Sequence, residues 1–126
     1  MASTSSGVKI TQNVNDTDII LYQGKTVTFE IVYNDVNGDP VDVTGYLARF
    51  QARETVASAT KLIDWDQASE ITVGTTDGTF TFQVPAADTA AIAAFRGVYD
   101  MEIQSPAGDV DLVISGKITV LAEVTR

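Results

Sequence analysis

The chain predicts an all-β fold, a sandwich or a barrel. Three observations carry this: several separate runs alternate apolar and polar residues, turn signals fall between them, and only one short stretch reads as helix. With 126 residues it fits one domain, large enough to bury a core without disulfide staples. Residues 1–7 form a polar N-terminal arm, and 8–126 a single β-sandwich domain.

The strands follow in order. Val8 to Thr11 is a short first strand, and Asp18 to Tyr22 a more apolar second one, closed by Gln23-Gly24. Thr26 to Tyr33 alternates cleanly, with Val27, Phe29, Ile31 and Tyr33 on one face, as a half-buried strand requires. Asn37-Gly38 is a hairpin turn signal, and Pro40 cannot donate to a ladder. In Tyr46 to Arg53, Tyr46, Ala48, Phe50 and Ala52 point inward, leaving Arg49, Gln51 and Arg53 outward to pair with acidic cross-strand neighbours.

Glu54 to Thr60 is a polar connection. Lys61 to Asp66 and Glu70 to Val73 are short strands around the single tryptophan, Trp65. After the Gly74 to Gly78 turn, Thr79 to Val84 alternates with Phe80, Phe82 and Val84 inward. Ala86 to Arg96 is the helix: alanine-rich, preceded by Pro85, with Asp88 in its first turn and Gly97 as its stop. Ile92 and Phe95 share one of its faces.

Val98 to Gln104 turns Tyr99, Met101 and Ile103 inward, with Asp100 and Glu102 outward. Beyond the Pro106 to Asp109 turn, Val110 to Val124 keeps one parity through Val110, Leu112, Ile114, Ile118 and Val120. Gly116 falls on that row and marks a bulge or a close approach of another backbone.

Composition removes much chemistry. With no histidine and no cysteine, the chain has no imidazole base, no thiol nucleophile and no soft-metal ligand. Its formal net charge of −9 argues against a phosphate-backbone partner. No run approaches the ~20 apolar residues of a membrane helix, and Met1 to Gly7 lacks the basic and apolar regions of a secretion signal. The expectation from these totals is no nucleic-acid partner and no membrane.

Asp35, Asn37 and Asp39, with Asp42 beyond, space oxygen ligands as a calcium loop does. The glycine, however, stands fourth rather than sixth, and Tyr46 occupies the twelfth place, so a plain turn accounts for the pattern. Asp64, Asp66 and Glu70 around Trp65 invite a glycosidase or sugar-binding reading, with Tyr22 or Tyr46 as a second stacking ring. Seventeen acidic residues on a small domain produce such pairs by chance, and core packing is an aromatic's default. Ser3, Ser5 and Ser6 have no base to activate them.

Read together, several segments carry a resemblance. They are Gly24-Lys25-Thr26-Val27-Thr28-Phe29, Asp35 through Gly38-Asp39-Pro40-Val41-Asp42-Val43-Thr44-Gly45, and Ala48-Arg49-Phe50-Gln51-Ala52-Arg53. Thr79-Phe80-Thr81-Phe82, Ala87-Asp88-Thr89, Gly97-Val98-Tyr99-Asp100-Met101-Glu102, Gly116-Lys117-Ile118-Thr119-Val120 and Glu123-Val124-Thr125 continue it. The chain resembles small tailed-phage and prophage virion domains, and is similar to the N-terminal domain of phage upper baseplate proteins. That resemblance spans about Gly24 to Thr125 and rests on the order of the segments, since each alone is a modest turn-and-strand fragment.

The resemblance implies an immunoglobulin-like antiparallel β-sandwich with one short helix in a crossover connection. It further implies a non-enzymatic, cofactor-free structural part of a virion, and transfers no functional residue. The sequence ends where the domain ends, without the second segment by which a baseplate adaptor grips a receptor-binding part. The leading expectation is thus a capsid decoration (cement) protein, a homo-oligomer bound to the major capsid protein or other virion structural proteins. Its contacts would be loop surfaces, strand edges and the arm residues Ser3, Thr4, Ser5, Ser6 and Gly7, which can add to a neighbour's sheet edge. A tail, collar or baseplate protein, and a carbohydrate-binding module for host attachment, are the alternatives.

Overall fold

The computed structural model describes residues 8–10, as backbone, and residues 17–125. Among them the strands are β1 (Val8–Ile10), β2 (Ile19–Tyr22), β3 (Val27–Tyr33), β4 (Leu47–Arg53), β5 (Ile63–Asp66), β6 (Ile71–Val73), β7 (Thr79–Val84), β8 (Phe95–Gln104) and β9 (Val110–Leu121). A short helix, α1 (Ala86–Ala90), joins β7 to β8. One sheet has the order β1-β3-β7-β6 and the other β2-β9-β8-β4-β5.

The two sheets form an immunoglobulin-like sandwich, and they are mixed. Most neighbours are antiparallel, but β1 runs parallel to β3 and β2 parallel to β9.

Alternation fills the interior. Val27, Phe29 and Ile31 of β3 face Phe50 and Ala52 of β4, with Phe80 and Phe82 of β7, all at most 6% exposed. Phe29 stacks on Phe82 at 4.2 Å, and Phe50 stacks on Trp65 at 5.1 Å and on Tyr99 at 5.2 Å. Phe50 also meets Phe82 edge-on at 5.6 Å, joining the rings of the two sheets into one cluster. Such pairs add roughly 0.5–1.5 kcal/mol each beyond the area they bury.

Two expectations need correction. The helix stops at Ala90, and Phe95, Arg96 and Gly97 belong to β8, paired with Val120, Thr119 and Ile118. A single helical turn suffices to cross between sheets, while the ladder with β9 engages backbone groups that a short, lone helix would leave to water. Gly97 is no helix stop: a Cβ there would collide with the carbonyl of Arg53 on the neighbouring β4.

The second correction concerns β9, which ends at Leu121 and changes parity midway. Met101 pairs with Ile114 but Glu102 pairs with Leu112, leaving Val113 as the bulged residue. Val113 and Ile114 are consequently both buried, while Val110 and Leu112 turn to the outer face. Gly116 is not the bulge; it admits the backbone of Thr17, which a Cβ would strike.

Candidate docking face

The outer face of the five-stranded sheet gathers the chain's polar outward residues in rows, because antiparallel register sets them side by side. One row runs Leu47, Gln104, Val110, and the next Asp66, Arg49, Glu102, Leu112. The third is Asp64, Gln51, Asp100, Ser115, and the fourth Arg53, Val98, Lys117. Arg96, Thr119 and Ile20 complete the pattern, with Tyr22 beyond them. The rows thus place acids toward one end of the strands and bases toward the other.

The expected pairing of the two arginines is met differently at each. Arg49 sits in register between Asp66 and Glu102. Arg53 instead donates from Nη1 to the carbonyls of Ser58 (2.8 Å) and Ala59 (3.0 Å), and from Nη2 to Gln51 Oε1 (3.2 Å). It thereby shapes the 54–60 loop over one side of the face. An open hollow of about 460 Å³ lies on the face beside that loop, lined in part by Arg53, Val56, Val98, Asp100 and Leu112. Asp100 stays exposed on this face, and partial desolvation raises its carboxyl above its ordinary range, with the Arg53 charge pulling the other way.

Other predicted residues fall elsewhere. Trp65 is only 5% exposed and stacked on Phe50, so it offers no sugar platform. Asp64 and Asp66 lie on the opposite face of β5 from its ring, and Asp64 pairs with Lys61 at 3.2 Å. Tyr46 is half-buried against the core, and Tyr22 is exposed on a different strand. No aromatic–carboxylate cleft is assembled from these groups.

The Asp35 loop is a turn held by its own side chain. Asp35 Oδ1 accepts from the backbone N–H of Asn37 (2.9 Å) and of Asp39 (3.0 Å), the Asx geometry of a loop. Among the described residues no group of three or more acidic side chains is placed to hold a metal ion. Asp42 and Asp77 cap their turns likewise, and their carboxyls are lowered by hydrogen bonds from Thr44 and from Thr79 and Thr75 respectively. The arm residues Ser3, Thr4, Ser5, Ser6 and Gly7 lie outside the described residues.

The face itself was half visible in the alternation of Asp100 and Glu102 with Tyr99 and Met101. Its charge partition depends on which strands are neighbours, and the Val113 bulge decides that Val110 and Leu112 join it.

No family model matches the chain, and no curated protein does so either. Among solved structures it is similar to the N-terminal domain of phage TP901-1 ORF48, at 15% identity and a TM-score of 0.47, over 94% of this chain and 98% of that one.

Proposed function

We propose that the chain is a non-enzymatic structural domain of a phage particle, and specifically a decoration protein on the assembled capsid. The observation that supports it most is where the resembling segments fall. In order from Gly24 to Thr125 they supply the buried strand positions, such as Phe29, Phe50, Phe82, Tyr99, Met101 and Ile118, and the turns between them. The resemblance therefore concerns the scaffold, and the work falls to its surfaces. The packed aromatic interior agrees with docking through an outer surface rather than with enclosure of a small substrate.

On this reading the sandwich acts as a rigid body that adds buried area across a shell lattice, with the polar arm as a second point of attachment. A stable contact of this kind needs more than ~1,000 Å² in total. The test is to mix the purified full chain with purified heads and count bound copies per particle. Saturable binding of hundreds of copies is expected, lost when residues 1–7 are removed from a chain that still folds. A stoichiometry of a dozen or fewer would overturn the capsid placement in favour of tail or baseplate, and no binding to any particle component would overturn the virion reading.

A further inference from the structure

We infer that the outer face of the five-stranded sheet is a two-fold self-association surface, on which a second copy of this chain docks with its strands antiparallel. The inference goes beyond the particle reading and does not depend on it. The first support is the distribution of charge. Of eight basic residues in a chain of net charge −9, four (Arg49, Arg53, Arg96 and Lys117) lie on this one face. Two copies that repel each other elsewhere meet least opposition here.

The second support is how those charges are partitioned. Asp64, Asp66, Asp100 and Glu102 occupy one half, around Arg49, while Arg53, Arg96 and Lys117 occupy the other, where Asp18 immediately precedes β2. The central strand is β8, and along it Glu102 and Arg96 stand three residues either side of Tyr99. A two-fold axis lying across the strands at Tyr99 brings Glu102 of each copy over Arg96 of the other. The same operation lays the acidic rows over the basic rows. An axis parallel to the strands would instead set acid on acid, so the charge pattern selects one geometry.

Apolar residues follow the same symmetry. Leu47 (48% exposed) and Val110 (60% exposed) lie beyond the acidic rows, and Tyr22 (50% exposed) lies beyond the basic ones. The antiparallel arrangement brings Val110 toward Leu121 and Tyr22 of the other copy, while Leu47 falls at the 54–60 loop end of that copy's β4. Five strands about 4.8 Å apart, followed for some six residues at about 3.3 Å each, present roughly 500 Å² per copy. The pair thus buries about 1,000 Å², the lower bound for a specific complex, and a salt-sensitive dimer of moderate affinity is the result.

The experiment is sedimentation equilibrium on the full chain, with circular dichroism to establish that each variant is folded. The wild type is expected to pass from 13.5 kDa to twice that mass as concentration rises, and to dissociate as salt rises. Glu102→Arg and Arg96→Glu should each weaken the dimer at least about tenfold by setting like charges together. The double variant should recover it, since each pair then reappears with signs exchanged. Glu30→Arg, on the other sheet, should leave it unchanged. A monomer at ~1 mM, a dimer indifferent to either single reversal, failure of the double variant to recover, or equal loss with Glu30→Arg overturns the proposal.

Discussion

The hydroxyl of Tyr99 donates a 2.6 Å hydrogen bond to the main-chain carbonyl of Thr17, 82 residues away in sequence. Thr17 in turn donates its N–H to the carbonyl of Ser115 at 3.0 Å, and Gly116 beside it leaves room for that backbone. The clamp fixes where the chain joins the five-stranded sheet and so sets β2 parallel to β9. Tyr99→Phe removes the donor and leaves a half-buried carbonyl short of a partner, which costs about 1–2 kcal/mol. Gly116→Ala drives a methyl group into backbone that no rotamer change can clear, and should cost more, about 3 kcal/mol. Urea unfolding of the two variants checks both the sizes and their order.

Tyr33 makes the corresponding tie between the sheets, its hydroxyl donating to Asp111 Oδ2 at 2.6 Å. Desolvation, that hydrogen bond and the carboxylate charge push its pKa up from 10.0 to about 12. The folded protein holds this proton more tightly than the unfolded chain, so the stabilisation is complete below pH 10 and is lost as pH rises toward 12. Unfolding free energy should fall over that window, and Tyr33→Phe should make the fall shallower. An unchanged slope in the variant would show that Tyr33 does not carry it.

Much of this architecture is legible locally, and what is not has a physical reason. The period-two runs at Val27 to Tyr33, Ala48 to Ala52 and Phe80 to Val84 name their own buried faces, because each strand needs no knowledge of its partner. The bulge at Val113 is a mismatch between two strands, and nothing within Asp111-Leu112-Val113-Ile114 announces it. The helix ends well short of its alanine-rich run, because alanine propensity is a local signal, whereas the ladder partners that claim Phe95 to Gly97 lie 20 or more residues onward. For the docking face, the outward acids and arginines can be read from alternation. Their division into acidic and basic rows needs the register.

Trp65 offers a direct check on the core. It is packed against Phe50 and within 6.2 Å of Phe82, so its emission should be blue-shifted and poorly accessible to soluble quenchers. Added polysaccharide should leave it unchanged, and denaturant should red-shift it in step with the loss of β-structure. Phe50→Ala, which removes the ring touching Trp65, Tyr99 and Phe82, should cost about 3–5 kcal/mol. Trp65 fluorescence that is quenched in the folded wild type would place the indole at the surface and contradict this packing.

Asp100 tests the outer face by a route independent of association. Its carboxyl, on an exposed residue beside the 54–60 loop, is raised by partial desolvation that Arg53 only partly relieves. A raised carboxylate pKa means that the folded state binds the proton better than the unfolded chain, so at neutral pH the ionised group detracts from stability. The penalty disappears as pH falls through the raised pKa and the group becomes neutral in the fold. Asp100→Asn removes the charge while keeping a polar side chain of the same shape. The variant should therefore melt above the wild type at pH 7, and the two curves should converge in acid. Thermal melts across that range, at concentrations where the chain is monomeric, supply the comparison. A variant less stable at pH 7 would mean that the attraction of Arg53 outweighs burial at this position.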